Sequence, residues 1–384
     1  MTLRISWNEA SARRLERQFL ANPAERGTPV ADIVAAMLGA HAQVLSAAEL
    51  SVGVRATGVA RDEVRGALWE ERALVKTYGP RGTVHLLSAA ELPLWSSALP
   101  AVRSAASPPA PHVRVSEEQA EQILAAIADS LDGACLTLDE LGEEVVARTG
   151  SWAGDRVMPA FQDLWPRWRQ VMHRAGQSGA LCFAPDRGRR ATYTRPPRFT
   201  PLPADEALGE LVRRYLRAYG PATPRTFAKW LAAKPGWATE LFGRLAEAGA
   251  IEEVVFEGAG DWWIAAGDTE FPEERVRGVR LLPYFDAYGI AAQPRESLFP
   301  GDAYRRALAG GQAGNYPVLL VDGVVAGVWH QRRRGRRTTV TVEPLGQLSA
   351  RDERELGEQV NRLGEVLGTA AELVVGKVGV GPHA

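Results

Sequence analysis

The chain has 384 residues, of which 46% are hydrophobic and 24% charged, with a formal net charge of −1. This composition belongs to a globular protein with a real core, long enough for two or three domains. It excludes a global electrostatic pull towards nucleic acid, so a polyanionic partner requires cations clustered in a few places.

Lysine occurs only at Lys76, Lys229, Lys234 and Lys377, and the other basic side chains are arginine. Arginine suits phosphate contact and minor-groove insertion better than lysine. The two cysteines, Cys135 and Cys182, lie far apart without a CxxC, which argues against a disulfide scaffold and a zinc site. The first 17 residues lack an apolar signal-like core, and no uncharged apolar run reaches membrane length. A soluble, cytoplasmic protein is expected.

In chain order, residues 11–18 read as a charged helix. Thr28-Pro29 opens an apolar helical run over 30–38. A second run follows, opened by Ser46 with Glu49 three residues on, a capping-box pattern. Between them stands Gly39-Ala40-His41-Ala42-Gln43. Asp62 is a candidate N-cap for a helix over 63–70. Residues 74–87 read as two short strands around the turn Gly79-Pro80-Arg81-Gly82. Ser88 with Glu91 is placed to cap the next helix. Three helices followed by a hairpin is the winged-helix order.

A Pro-rich linker at 107–111 marks a boundary, and the order repeats. Ser116 with Gln119 and Thr137 with Glu140 open two helices, and a third is expected over 158–176, interrupted at Pro166. A hairpin follows, with the arginine-rich tip Asp186-Arg187-Gly188-Arg189. A third round begins at Ala204, with Thr223-Pro224 capping its second helix and a hairpin over 251–266. From about residue 276 the chain becomes strand-rich. Asp322-Gly323 signals a tight hairpin, and Ser349 with Asp352 opens a last helix. The Gly-rich tail over 375–384 is expected to end in a frayed strand. The expected fold is α+β: winged-helix units over 1–106, 107–200 and 201–275, then a β-barrel-like domain with one helix over 276–384.

In an extended connector, residues i and i+2 face the same side. His41 and Gln43 therefore either satisfy backbone groups of a turn or converge on a small object such as a water. The densest charge is Arg332, Arg333, Arg334, Arg336 and Arg337 around Gly335. A cationic hairpin tip of this size can enter a DNA minor groove, or it can be a solvated turn protecting a sheet edge. Arg187, Arg189 and Arg190 form a weaker tip of the same kind. Trp165, Trp168, Trp230, Trp237, Trp262 and Trp263 read as core rather than base-stacking platforms. Arg81 and His85 flank the first hairpin, and His85 reads as a hydrogen-bonded structural residue. His112, His173 and His383 have no partners in sequence. Phosphate-loop, dinucleotide, zinc-protease and nucleophile-elbow motifs are absent.

Four stretches together resemble one bacterial family. They are residues 37–55, Tyr78-Gly79-Pro80-Arg81-Gly82-Thr83-Val84-His85-Leu86, Leu281-Leu282-Pro283-Tyr284-Phe285-Asp286-Ala287-Tyr288, and the arginine hairpin followed by Val342-Glu343-Pro344. The family is that of AlkZ-like winged-helix DNA glycosylases, linked to azinomycin resistance. The resemblance covers nearly the whole chain. It implies three tandem winged helices and a β-barrel arranged as a C-shaped basic channel. Members carry a catalytic Gln-hydrophobic-Gln motif. Here His41 stands for the first glutamine and Gln43 matches the second, as in a His-hydrophobic-Gln subset associated with DNA-alkylating antibiotics.

The resemblance implies a monofunctional glycosylase that needs no cofactor or metal. It would release N7-alkylated guanine, as bulky antibiotic adducts or cross-links, from double-stranded DNA and leave an abasic site, in repair and in antibiotic self-resistance. A nucleoid-associated monomer without a membrane partner is expected. His41, able to accept a proton near neutral pH, and Gln43 would hold the attacking water. The arginine tips and Arg81 would contact DNA. The rival reading is a winged-helix transcriptional regulator, and a third is a protein that binds the drug itself.

Overall fold

A computed structural model describes residues 2–160, 163–308 and 310–381, and the fold is α+β. It begins with β1 (Arg4–Ile5) and α1 (Trp7–Arg17). Ser6 caps α1: its Oγ accepts from the Glu9 N–H, and Glu9 accepts from the Ser6 N–H. Both elements pack far from their sequence neighbours. β1 runs parallel to residues 255–256. The buried Arg14 of α1 donates to the carbonyls of Gly220, Pro221 and Gln293.

The first helix-and-hairpin unit comprises α2 (Val30–Ala36), β2 (Ala40–His41), α3 (Leu45–Gly53), α4 (Arg61–Arg65), β3 (Leu74–Tyr78), β4 (Val84–Ser88) and α5 (Leu92–Ala101). The strands form an antiparallel sheet ordered β2-β4-β3. Three expected caps are not made. α3 starts at Leu45 behind Val44, which puts Ser46 inside the helix. Glu49 is unavailable for a box because it is buried and accepts from Arg61 and Arg65. α4 starts behind Ala60, whose N–H donates to Glu63, so Asp62 lies within the helix. Ser88 leads into a 3-10 turn, and Glu91 pairs instead with Arg214.

The second unit comprises α6 (Glu117–Ser130), β5 (Leu136–Thr137), α7 (Leu138–Thr149), β6 (Arg156–Pro159), β7 (Leu164–Pro166), α8 (Met172–Gln177), β8 (Cys182–Arg187) and β9 (Arg190–Thr194). Its capping boxes at Ser116 and Thr137 form as expected. The helix expected over 158–176 does not. Its first half is the antiparallel β6–β7 pair, and helix begins only at Met172. Pro159 and Pro166 lack the N–H that a helix interior needs. Residues 161 and 162 of this stretch lie outside the described residues.

The third unit comprises α9 (Ala204–Tyr219), α10 (Pro224–Leu231), α11 (Pro235–Glu247), β10 (Ile251–Phe256) and β11 (Ala259–Ala265). α9 buries Leu208, Leu211, Val212, Tyr215, Leu216 and Tyr219 on one face, at helical spacing. That face packs on Trp95 and Leu99 of α5, so the first and third units share one core. Trp168, Trp230 and Trp237 are buried, as expected of core residues.

The remainder contains β12 (Val279–Leu282), α12 (Ala287–Ala291), α13 (Arg295–Leu298), α14 (Asp302–Ala307), β13 (Val318–Val321), β14 (Val324–Arg334), β15 (Arg337–Pro344), α15 (Ala350–Leu367) and β16 (Ala370–Val375). The strands form an open sheet in sequence order rather than a closed barrel. Asp322 and Gly323 turn β13 into β14 as expected, with φ of 48° and 83°. α15 lays Leu356, Val360 and Leu363 against Trp329, Val340 and Val342, and Leu50 of α3 and Val54 just after it enter the same core. α3 is thereby fixed to the C-terminal sheet. The tail's His383 lies outside the described residues.

Candidate functional site

The site is built on the reversal after α2. Leu38 and Gly39 have φ of 56° and 93°. A Cβ at Gly39 would lie 2.7 Å from Leu87 Cδ2, so only glycine lets the chain approach β4 here. β2 then pairs with β4, Ala40 opposite Leu86 and His41 opposite His85. The Ala42 N–H donates to the Val84 carbonyl at 2.7 Å. Ala42 is fully buried, His41 is 8% exposed and Gln43 is exposed. The expected connector is thus in part a strand, with Ala42 turned into the core.

The His41 ring packs against two others. The His85 ring is 5.2 Å away at an interplanar angle of 70°, and the Phe285 ring is 4.6 Å away at 32°. His41 Nδ1 is buried without a hydrogen-bond partner among the described residues. Burial pushes the His41 pKa down to about 4, and the Arg81 guanidinium adds to the effect. The expectation that His41 accepts a proton near neutral pH is therefore corrected. The imidazole is neutral, a weak base and a hydrogen-bonding group. His85 has the structural role expected of it. Its Nδ1 lies 2.9 Å from the Thr83 carbonyl, which fixes Nδ1 as the protonated nitrogen. Burial, then Arg81 and His41, hold its pKa well below the ordinary value.

Sequence reasoning missed the groups that dock the C-terminal domain onto this segment. Asp286 accepts from Ser51 Oγ at 2.8 Å and from both terminal nitrogens of Arg55 at 2.7 and 2.8 Å. Its carboxylate also accepts from the Tyr288 N–H. The adjacent Phe285 reaches His41. Both partners lie in stretches that carried the family resemblance, but nothing in the sequence joined them.

The five arginines at 332, 333, 334, 336 and 337 are exposed. Among the described residues none has a carboxylate partner. β14 and β15 run up to the tip, with Arg334 opposite Arg337, so four of the five arginines stand on paired strand ends. The second tip differs. Arg189 and Arg190 are exposed, but Arg187 is ion-paired with Glu140 at 2.8 Å and donates to the Cys135 carbonyl. Arg81 is half-buried and donates to the Trp230 carbonyl of α10 at 2.9 Å. It braces the first unit against the third and sets the field at His41. Among the described residues no cluster of three metal-ligating side chains occurs. No described helix is long and apolar enough to cross a membrane.

A neutral imidazole with an exposed carboxamide two residues on, in a chain that also carries an exposed cationic hairpin, suits an enzyme that acts on DNA. Comparison with known proteins supplies the class. Residues 34–366 match the family model described as DNA glycosylase AlkZ-like. The chain is 32% identical over 343 residues to an interstrand DNA cross-link repair glycosylase of Streptomyces sahachiroi, covering 85% of this chain and 88% of that protein. The structure of the DNA glycosylase AlkZ from the same organism superposes with a TM-score of 0.80 at 27% identity, covering 97% of this chain and all of that one. The chain belongs to the AlkZ-like DNA glycosylase family.

Proposed function

We propose that this glycosylase is monofunctional and hydrolyses the N-glycosidic bond of N7-alkylated guanine in double-stranded DNA, including bulky antibiotic adducts and cross-links, as repair and self-resistance. The observation that carries the reading is the desolvated, neutral His41 two residues from the exposed Gln43. A guanine alkylated at N7 is cationic, and when the C1′–N9 bond breaks the electron pair neutralises the base. A strong acid is therefore unnecessary. The protein must hold a water against C1′ and shelter an oxocarbenium-like state. Neutral His41 and Gln43 can do both without placing a second cation beside the first. The water proton passes to solvent as the C1′–O bond forms, with His41 and Gln43 orienting the water through hydrogen bonds.

Other features support the reading. Lys76 Nζ lies 4.7 Å over the Phe183 ring, engaged away from a Schiff-base role. The cavity between Val44, Leu50, Tyr284 and Trp329 is about 190 Å³, below the ~300–1,000 Å³ usual for ligand pockets. A bulky adduct therefore suits an open channel better than a closed pocket. We read the three helix-and-hairpin units as winged helices which, with the C-terminal domain, form a C-shaped channel on one DNA duplex. The protein would act as a nucleoid-associated monomer with the 332–337 hairpin in the minor groove. The relative's printed name includes interstrand cross-links, which are among these candidate substrates.

The test is base release from a duplex carrying one N7-alkylguanine, with a methyl lesion and a bulky adduct in parallel. Wild type should release base, while His41→Ala and Gln43→Ala should still bind DNA but release base only at a small residual rate. Borohydride trapping of a covalent adduct would refute the monofunctional assignment. No release with tight binding to one sequence would favour a transcriptional regulator.

A further inference from the structure

A catalytic imidazole is ordinarily oriented by a hydrogen bond to its second nitrogen. Among the described residues His41 has no such bond: its Nδ1 is buried and unpartnered there. Its orientation therefore falls to the two rings packed against it. His85 comes from the same sheet and lies opposite in register. Phe285 comes from the C-terminal domain.

Phe285 is held in an unusual state. Its φ is 55°, a left-handed conformation that a bulky L residue rarely adopts. Such strain persists only where the surroundings over-determine it, and it concentrates at functional sites. The surroundings do so here. The Phe285 N–H donates to the Gly314 carbonyl at 2.9 Å. A Cβ at Gly314 would stand 3.2 Å from Phe285 Cα, so this approach depends on glycine. On the C-terminal side, Asp286 is locked by Ser51, Arg55 and the Tyr288 N–H. On the N-terminal side, Trp329 Nε1 donates to the Leu282 carbonyl at 2.9 Å. The segment is fixed at both ends and presents one ring to His41, 4.6 Å away.

We propose that Phe285 is a positioning residue for glycosidic hydrolysis: its ring presses His41 into the one orientation that aims the imidazole at the attacking water. This rests on the water-directing role given to His41 above. It also explains why the motif at 281–288 accompanies the His41 segment in sequence: each completes the other's geometry. Phe285 itself does not touch the reacting atoms.

The test is a cycle of Phe285→Ala, His41→Ala and the double variant, assayed by single-turnover base release and by affinity for the lesion duplex. Loss of aim should slow release by about 10- to 100-fold while affinity holds within about threefold. Phe285→Tyr, which keeps the ring, should recover most of the rate. In the His41→Ala background, Phe285→Ala should add little, because the group it aims is gone. A full additional loss there, or an undiminished rate in the single variant, overturns the proposal. The NMR signals of the His41 ring supply a readout independent of catalysis. Phe285→Ala should shift them by removing the aromatic ring current and broaden them as the imidazole reorients. Signals that stay sharp and unshifted also overturn the proposal. If wild type releases no base, the glycosidic reading fails while the ring signals still decide whether Phe285 orients His41.

Discussion

Arg55 grips Asp286 through both terminal guanidinium nitrogens, at 2.7 and 2.8 Å, with side-chain exposures of 0% and 2%. The pair joins the chain just after α3 to the segment that follows β12. Removing one member leaves the other charged, buried and uncompensated.

Asp286→Ala should therefore destabilise the fold by about 3–5 kcal/mol, read as a lowered denaturation midpoint. Replacing both partners, Arg55→Met with Asp286→Leu, should cost clearly less than Asp286→Ala alone, because no orphan charge remains. If the double variant is the weaker protein, the pair's value lies in its attraction rather than in avoiding an unpaired charge.

The pH dependence follows from His41. Its folded pKa is about 4, against 6.5 for an ordinary histidine. If catalysis needs the neutral ring, base release should be flat through neutral pH and fall only as the pH approaches about 4. A pH–rate profile that halves near 6.5 would contradict the buried, neutral imidazole. His41→Gln should retain part of the rate and lose this acid limb, since a carboxamide does not titrate. Stability follows the same sign. Between 6.5 and about 4 the unfolded chain binds a proton at His41 that the folded chain refuses. His41 therefore lowers stability as the pH drops through that window and has no such effect above it.

The general plan was legible in sequence because local chemistry carried it. The boxes at Ser116, Thr137 and Ser349 form where they were read. So do the Asp322-Gly323 turn and the first hairpin around Arg81. Two of the expected caps failed where a long-range partner displaced a local one. Glu49 and Glu91 fit capping boxes by spacing, but Arg61, Arg65 and Arg214 take them. The site was half legible. His41 and Gln43 stood out as polar residues between apolar runs, but Phe285 and Asp286 meet that segment only in three dimensions. Lowered basicity at His41 was likewise invisible, since it arises from burial and from Arg81 across the sheet.

Backbone conformation at the site can be tested at Gly39. Its φ of 93° already disfavours any side chain, and a Cβ would meet Leu87 Cδ2 at 2.7 Å and the Leu86 carbonyl at 3.3 Å. Gly39→Ala should cost more than about 1 kcal/mol and reduce base release by moving β2 off β4. Gly82, with a φ of 67° and nothing within 4 Å of its would-be Cβ, is the control. Gly82→Ala carries the backbone term without the clash, and its loss should be smaller. Equal losses in denaturant midpoint would mean that the approach of β2 to β4 is not the constraint.

The arginine tips should separate by salt dependence. A cation that meets a phosphate releases condensed counterions, and each such contact contributes about 0.9 to the slope of log affinity against log salt on duplex DNA. Arg332, Arg333, Arg334, Arg336 and Arg337 are exposed and lack carboxylate partners among the described residues. They have no internal ion pair to give up on binding. Replacing any one by glutamine should lower the slope by up to about 0.9 on undamaged duplex. Arg187 must first leave Glu140 and the Cys135 carbonyl, so Arg187→Gln should change the slope less. Arg81, tied to the Trp230 carbonyl, should affect stability before salt dependence. The measurement is equilibrium binding across a salt series. If the five tip variants leave the slope unchanged while Arg187→Gln lowers it, the DNA lies against the second hairpin instead of the C-terminal one.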